Sequence, residues 1–88
     1  MTEDSRNERL KVLSVEDSVR DFELIKEYLS DLSDNLDIIR VEDEQDYKKA
    51  LQGCHWDIIL ADFRLPGFDA FRALDISKTI CPDTPFIV

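Results

Sequence analysis

The chain has 88 residues, with 20 acidic and 11 basic side chains and a formal charge of -9, and 43% of it is hydrophobic. That length suits one small globular domain and excludes a second core, while so acidic a balance argues against nucleic acid as a direct partner, because phosphate contacts need lysine and arginine. Residues 1–44 hold 14 of the acids and 6 of the bases, so the acidity belongs to the first half of the chain.

Residues 1–9 are polar and charged. They read as a disordered leader without the apolar stretch of a signal peptide, and residues 10–88 as the domain. Leu10–Val15 is an aliphatic and β-branched run with little alternation, the pattern of a strand covered on both faces. Ser18 is an N-cap for a helix whose stripe runs through Phe22, Ile25, Leu29 and Leu32. Leu36–Val41 is a second strand. Glu44 to Gln52 is a short helix with Tyr47, Ala50 and Leu51 inward and Gly53 at its C-terminal turn. Trp56–Ala61 is a third strand, followed by a loop from Asp62 to Phe68 that contains Pro66-Gly67. Asp69 caps a third helix to about Thr79, with Ala70, Phe71, Ala73 and Leu74 on its apolar side. Phe86–Val88 forms a fourth strand.

Strict alternation of strand and helix with short connections predicts a parallel sheet with right-handed crossovers and helices on both faces. No apolar run is long enough to span a membrane. Cys54 and Cys81 lack a CxxC spacing, and Cys54-His55 has no second Cys/His pair to complete a zinc shell. They read as two isolated buried or loop cysteines in a reducing, cytoplasmic compartment.

In an open parallel sheet, ligands bind beyond the carboxyl ends of the strands where strand order reverses. Glu16 and Asp17 follow the first strand, and Asp62 follows the third. Were those strands neighbours, three carboxylates would converge, and their mutual repulsion would favour a cation among them. An all-oxygen set with neither His nor Cys suits Mg²⁺. Such a cluster is compatible with phosphoryl transfer onto a carboxylate, with passive metal binding, and with acids that end strands because strand ends are solvated.

Val12-Leu-Ser-Val-Glu-Asp-Ser18 and Asp57-Ile-Ile-Leu-Ala-Asp-Phe-Arg-Leu-Pro-Gly-Phe-Asp69 together resemble the receiver domain of two-component response regulators. The resemblance spans residues 10–88. It implies a flavodoxin-like α/β fold with strand order 2-1-3-4, the family's fifth strand and last two helices not falling within these residues. It further implies that Asp62 is the phospho-acceptor, taking a phosphoryl group from a histidine kinase or phosphotransfer protein. Mg²⁺ would be held by Asp17, Asp62 and the backbone carbonyl of Arg64, with Glu16 as the other pocket acid. Such a chain is a signalling module, not a turnover enzyme. Ala70 departs from the glycine that many receivers carry there. The family's switch Ser or Thr and its lysine after strand five also fall outside 10–88, which leaves a rival reading: a degenerate or truncated receiver that only pairs with other proteins. A flavin or nucleotide binder is a second rival, but Glu16-Asp17 stands where that class needs a phosphate loop. An unpaired fourth strand would also offer an edge for a two-fold homodimer.

Overall fold

The computed structural model describes residues 9–62 and 68–88. The leader at residues 1–8 and the loop at 63–67, with Arg64 and Pro66-Gly67, therefore lie outside the described residues. Seven elements alternate along the chain: β1 (Leu10–Val15), α1 (Val19–Leu32), β2 (Leu36–Val41), α2 (Glu44–Ala50), β3 (Ile58–Ala61), α3 (Ala70–Ile80) and β4 (Phe86–Ile87). The four strands form one all-parallel sheet in the order β2-β1-β3-β4, the flavodoxin-like arrangement expected. From β1 the chain moves outward to β2, then crosses back to place β3 on the other side. The strand order thus reverses between β1 and β3.

The helices start where side-chain caps satisfy their free N–H groups. Ser18 Oγ accepts from the Asp21 N–H at 3.1 Å, Asp43 from Asp46 at 2.8 Å, and Asp69 from Arg72 at 2.8 Å. Gly53 (φ 84°) turns the chain out of α2 in the left-handed region, where a side chain is strained. A Cβ there would also lie 2.5 Å from His55 Nε2.

Alternation along the strands divides the side chains between two faces. Leu13, Val15, Val41, Ile59 and Ala61 point to one, where α2 and α3 bury them with Tyr47, Leu51, Phe68, Ala73 and Ile76. Tyr47 is fully buried; its hydroxyl donates to the Ala73 carbonyl at 2.7 Å, and its ring lies 5.4 Å from that of Phe68. Arg72 reaches across to both carboxylate oxygens of Glu44 at 3.0 Å, tying α3 to the start of α2. The opposite face, with Val12, Ser14 and Leu60, carries α1. Among the described residues, no helix is long and apolar enough to cross a membrane.

Several sequence expectations need correction, among them the end of α2, at Ala50 and not Gln52, and that of β4, at Ile87 and not Val88. β3 begins at Ile58, not Trp56. The Asp57 carboxylate takes the Lys11 N–H at 2.8 Å, and the Trp56 indole turns aside to donate to the Ala50 carbonyl. Leu32, the last residue of α1, is 69% exposed. Phe71 is also 69% exposed; the inward stripe of α3 is Ala70, Ala73, Ile76 and Ser77. Most consequentially, Cys54 and Cys81 are not isolated. The turn after α2 and the end of α3 meet at the amino ends of β3 and β4, where the two cysteines, 27 residues apart, form a disulfide with Cα atoms 5.5 Å apart.

Candidate functional site

Register places the acids. Val15 is paired with Ala61 across β1 and β3, so the next residue on each strand, Glu16 and Asp62, emerges beside the other at the carboxyl edge. Backbone bonds carry the ladder one step past both strands: Glu16 N–H donates to the Val41 carbonyl and Asp62 N–H to the Val15 carbonyl, each at 2.9 Å. The acids therefore leave a rigid sheet edge at the point where strand order reverses, the position at which such sheets bind ligands. Asp17 follows at the turn into α1. One carboxylate oxygen from each of Glu16, Asp17 and Asp62 lies within 4.8 Å of the others. The carbonyl of Arg64, the fourth ligand that the resemblance implies, lies outside the described residues.

The three acids differ in surroundings. Glu16 is 4% exposed, Asp62 half-buried and Asp17 exposed. Burial raises the Glu16 pKa above the ordinary carboxylate range; the Ser18 N–H, 3.2 Å from Oε2, opposes this, while the charge of Asp62 and a hydrogen bond with it add to the rise. Among the described residues, Arg40 lies against this edge, donating to the backbone carbonyl of Glu16 at 3.1 Å and pairing with Glu42. A divalent cation would relieve this crowding directly. The donor set fits one: three carboxylates without nitrogen or sulfur suit a hard ion such as Mg²⁺.

Beside Glu16 and Asp62 opens a cleft of about 220 Å³ between α1 and the sheet, lined also by Ser14, Ile25, Leu60 and Ile87. Ser14, beside that cleft, is almost fully buried; its one signal in the sequence is a polar residue at an alternate position of a largely apolar strand. Arg40 likewise interrupts an apolar strand, and its bond to the Glu16 carbonyl fixes the backbone that presents the acid.

No protein-family model matches the chain, and a search of the curated proteins finds no match.

Proposed function

We propose that the chain is a phospho-acceptor receiver module of a two-component phosphorelay, with Asp62 as the residue that accepts the phosphoryl group. The observation that carries this reading is the convergence of Glu16, Asp17 and Asp62 within 4.8 Å at the switch point of a parallel sheet. The chain's resemblance to receiver sequences, carried in part by these same acids, is consistent with it.

In this reading an Asp62 carboxylate oxygen attacks the phosphorus of a phosphohistidine on a kinase or phosphotransfer partner. The P–N bond breaks as the new P–O bond forms, and the departing imidazole retains the electron pair and takes up a proton. Glu16, Asp17 and Asp62 would hold Mg²⁺, which when bound neutralises charge on the phosphoryl oxygens. Asp62 projects from the end of a β-strand held on both sides, so its carboxylate meets the donor without reordering the backbone. Glu16 is oriented by the Ser18 N–H and by its own ladder bond to Val41. The module is a carrier of signal and not a turnover enzyme, and a kinase partner sets it in the cytoplasm.

Acetyl phosphate or a purified histidine kinase, supplied with Mg²⁺, tests the assignment. In a chain extended through the family's fifth helix, a single phosphoryl adduct on Asp62 is expected, absent from Asp62→Asn and absent with EDTA, whereas residues 1–88 by themselves should label slowly or not at all, for want of the family's lysine. An adduct that persists in Asp62→Asn, or label on Ser14 or Ser18, would overturn it. Binding of a receiver-type partner without any adduct would favour the interaction-only alternative.

A further inference from the structure

The amino ends of β3 and β4, at the opposite edge of the sheet from the acids, hold the Cys54–Cys81 disulfide. Its two residues are not equivalent. Cys54 is exposed, on a turn where its own φ of 51° and the 84° of Gly53 are both left-handed. Cys81 is 3% exposed and belongs to the core cluster with Leu51 and Ile76. The Sγ of Cys81 lies 3.2 Å from the Leu51 carbonyl and that of Cys54 3.2 Å from the Ile80 carbonyl. With no thiol hydrogen in a disulfide, these are packing contacts that hold the bridge between α2 and α3. A cleft of about 390 Å³ adjoins it, lined by Trp56, Asp57, Pro82, Asp83 and Pro85 as well as by both cysteines.

We propose that this bridge is a thiol–disulfide exchange site, in which the sulfur of the exposed residue Cys54 is attacked by a reducing dithiol and that of the buried residue Cys81 departs. Exchange requires a thiolate to approach the attacked sulfur on the side away from the leaving one. Cys54 stands on an exposed turn beside the cleft, whereas Cys81 is packed into the core, so access favours attack at Cys54. The incoming thiolate bonds to Cys54 Sγ; the bond between the two cysteines breaks, and Cys81 leaves as a thiolate that takes a proton. The second thiol of the reductant then attacks its own sulfur in the mixed disulfide and releases Cys54. The dithiol is oxidised to a disulfide, and the protein's disulfide is reduced to two thiols.

The charges select among reductants. Asp57 and Asp83 border the cleft on a chain of net charge -9, so an anionic thiol such as glutathione is repelled and a neutral or cationic one is not. Trp56 lines the same cleft, and its emission reports the bridge, since a neighbouring disulfide quenches an indole.

The test treats the folded chain with a monothiol, cysteamine or glutathione, quenches with acid, alkylates in denaturant and maps the adducts by peptide mass. The mixed disulfide is expected on Cys54 in at least about tenfold excess over Cys81, as the asymmetry of access requires. Cysteamine should react faster than glutathione at equal thiolate concentration, with the gap closing at high salt. Dithiothreitol should raise Trp56 emission in the wild type and leave that of Cys54→Ser unchanged. Equal labelling of the two cysteines, a predominant Cys81 adduct, exchange only after unfolding, or two free thiols in the air-oxidised protein would each overturn the proposal.

Discussion

Among the described residues, the face of the sheet that carries Leu13, Val15, Ile59 and Ala61 is closed by two helices and a disulfide, whereas the face that carries Val12, Ser14 and Leu60 is covered by α1. On the closed side, Tyr47, Leu13, Leu51 and Ile59 are fully buried, each contributing about 1.5–3 kcal/mol by removal from water. On the open side a cleft remains, with Ile87 on β4 50% exposed beside it, while both sides keep apolar side chains in water, Leu24 and Tyr28 on α1 at 59% and 68% and Phe71 on α3 at 69%. The contrast teaches where stability and chemistry reside. Two-helix coverage anchors β1 and β3, and the edge that those strands hold rigid delivers Glu16 and Asp62 into the cleft on the less covered side.

The sharpest way to break this comparison is to cut into each side in turn. Tyr47→Ala should cost about 3–5 kcal/mol in denaturant unfolding, the range for large buried aromatic side chains. Tyr28→Ala should stay within about 0.5 kcal/mol, because its ring is largely in solvent. Similar losses at both sites would mean that the faces are equally packed.

Reducing the disulfide acts only on the closed side. By loop closure, a cross-link across 27 residues stabilises by about 3–4 kcal/mol against the unfolded chain. The denaturant midpoint should fall accordingly with dithiothreitol in the wild type and not at all in Cys54→Ser. A midpoint indifferent to reductant would remove the staple from the account.

Alkaline pH sharpens the same point more gently. Burial pushes the Tyr47 hydroxyl up to about 12 from 10. A folded pKa above the unfolded one means stability that is fully present below pH 10 and lost as pH rises through about 12. The loss attributable to Tyr47 is about 2–3 kcal/mol, read as the difference between the wild type and Tyr47→Phe across that window. Parallel pH profiles for the two proteins would contradict it.

The smallest effect concerns the open side in solution. With Ile87 exposed at the β4 edge, the 88-residue chain should sediment as a weak two-fold dimer that Ile87→Glu converts to monomer. A monomer at all concentrations would show that the edge is inert.

Fold and site differed in how far the sequence revealed them. Strand–helix alternation, the caps Ser18 and Asp69 and the Gly53 turn are local signals, and each falls where expected. The acids were legible for the same reason: strand ends can be read from apolar runs, and the sheet order then brings those ends together. What escaped were features decided by tertiary placement. Phe71 and Leu32 fit a helical stripe but are exposed, the buried stripe of α3 running through Ala70, Ala73, Ile76 and Ser77, and Trp56 fits a strand but hydrogen-bonds back to α2. The disulfide escaped too, because 27 residues of intervening chain carry no local trace of two turns meeting at one edge of the sheet.

The central claim, that three carboxylates on the open side form one cation-assisted acceptor site, is tested most directly by Mg²⁺ titration followed through backbone amide shifts. Saturable shifts at Glu16, Asp17 and Asp62 are expected, with Trp56 at the far end of β3 unmoved, and Asp17→Asn should weaken binding by about tenfold, the order expected for losing one ligand of a small carboxylate set. Equal affinity in the wild type and Asp17→Asn, or shifts scattered over the acidic surface without saturation, would contradict the site.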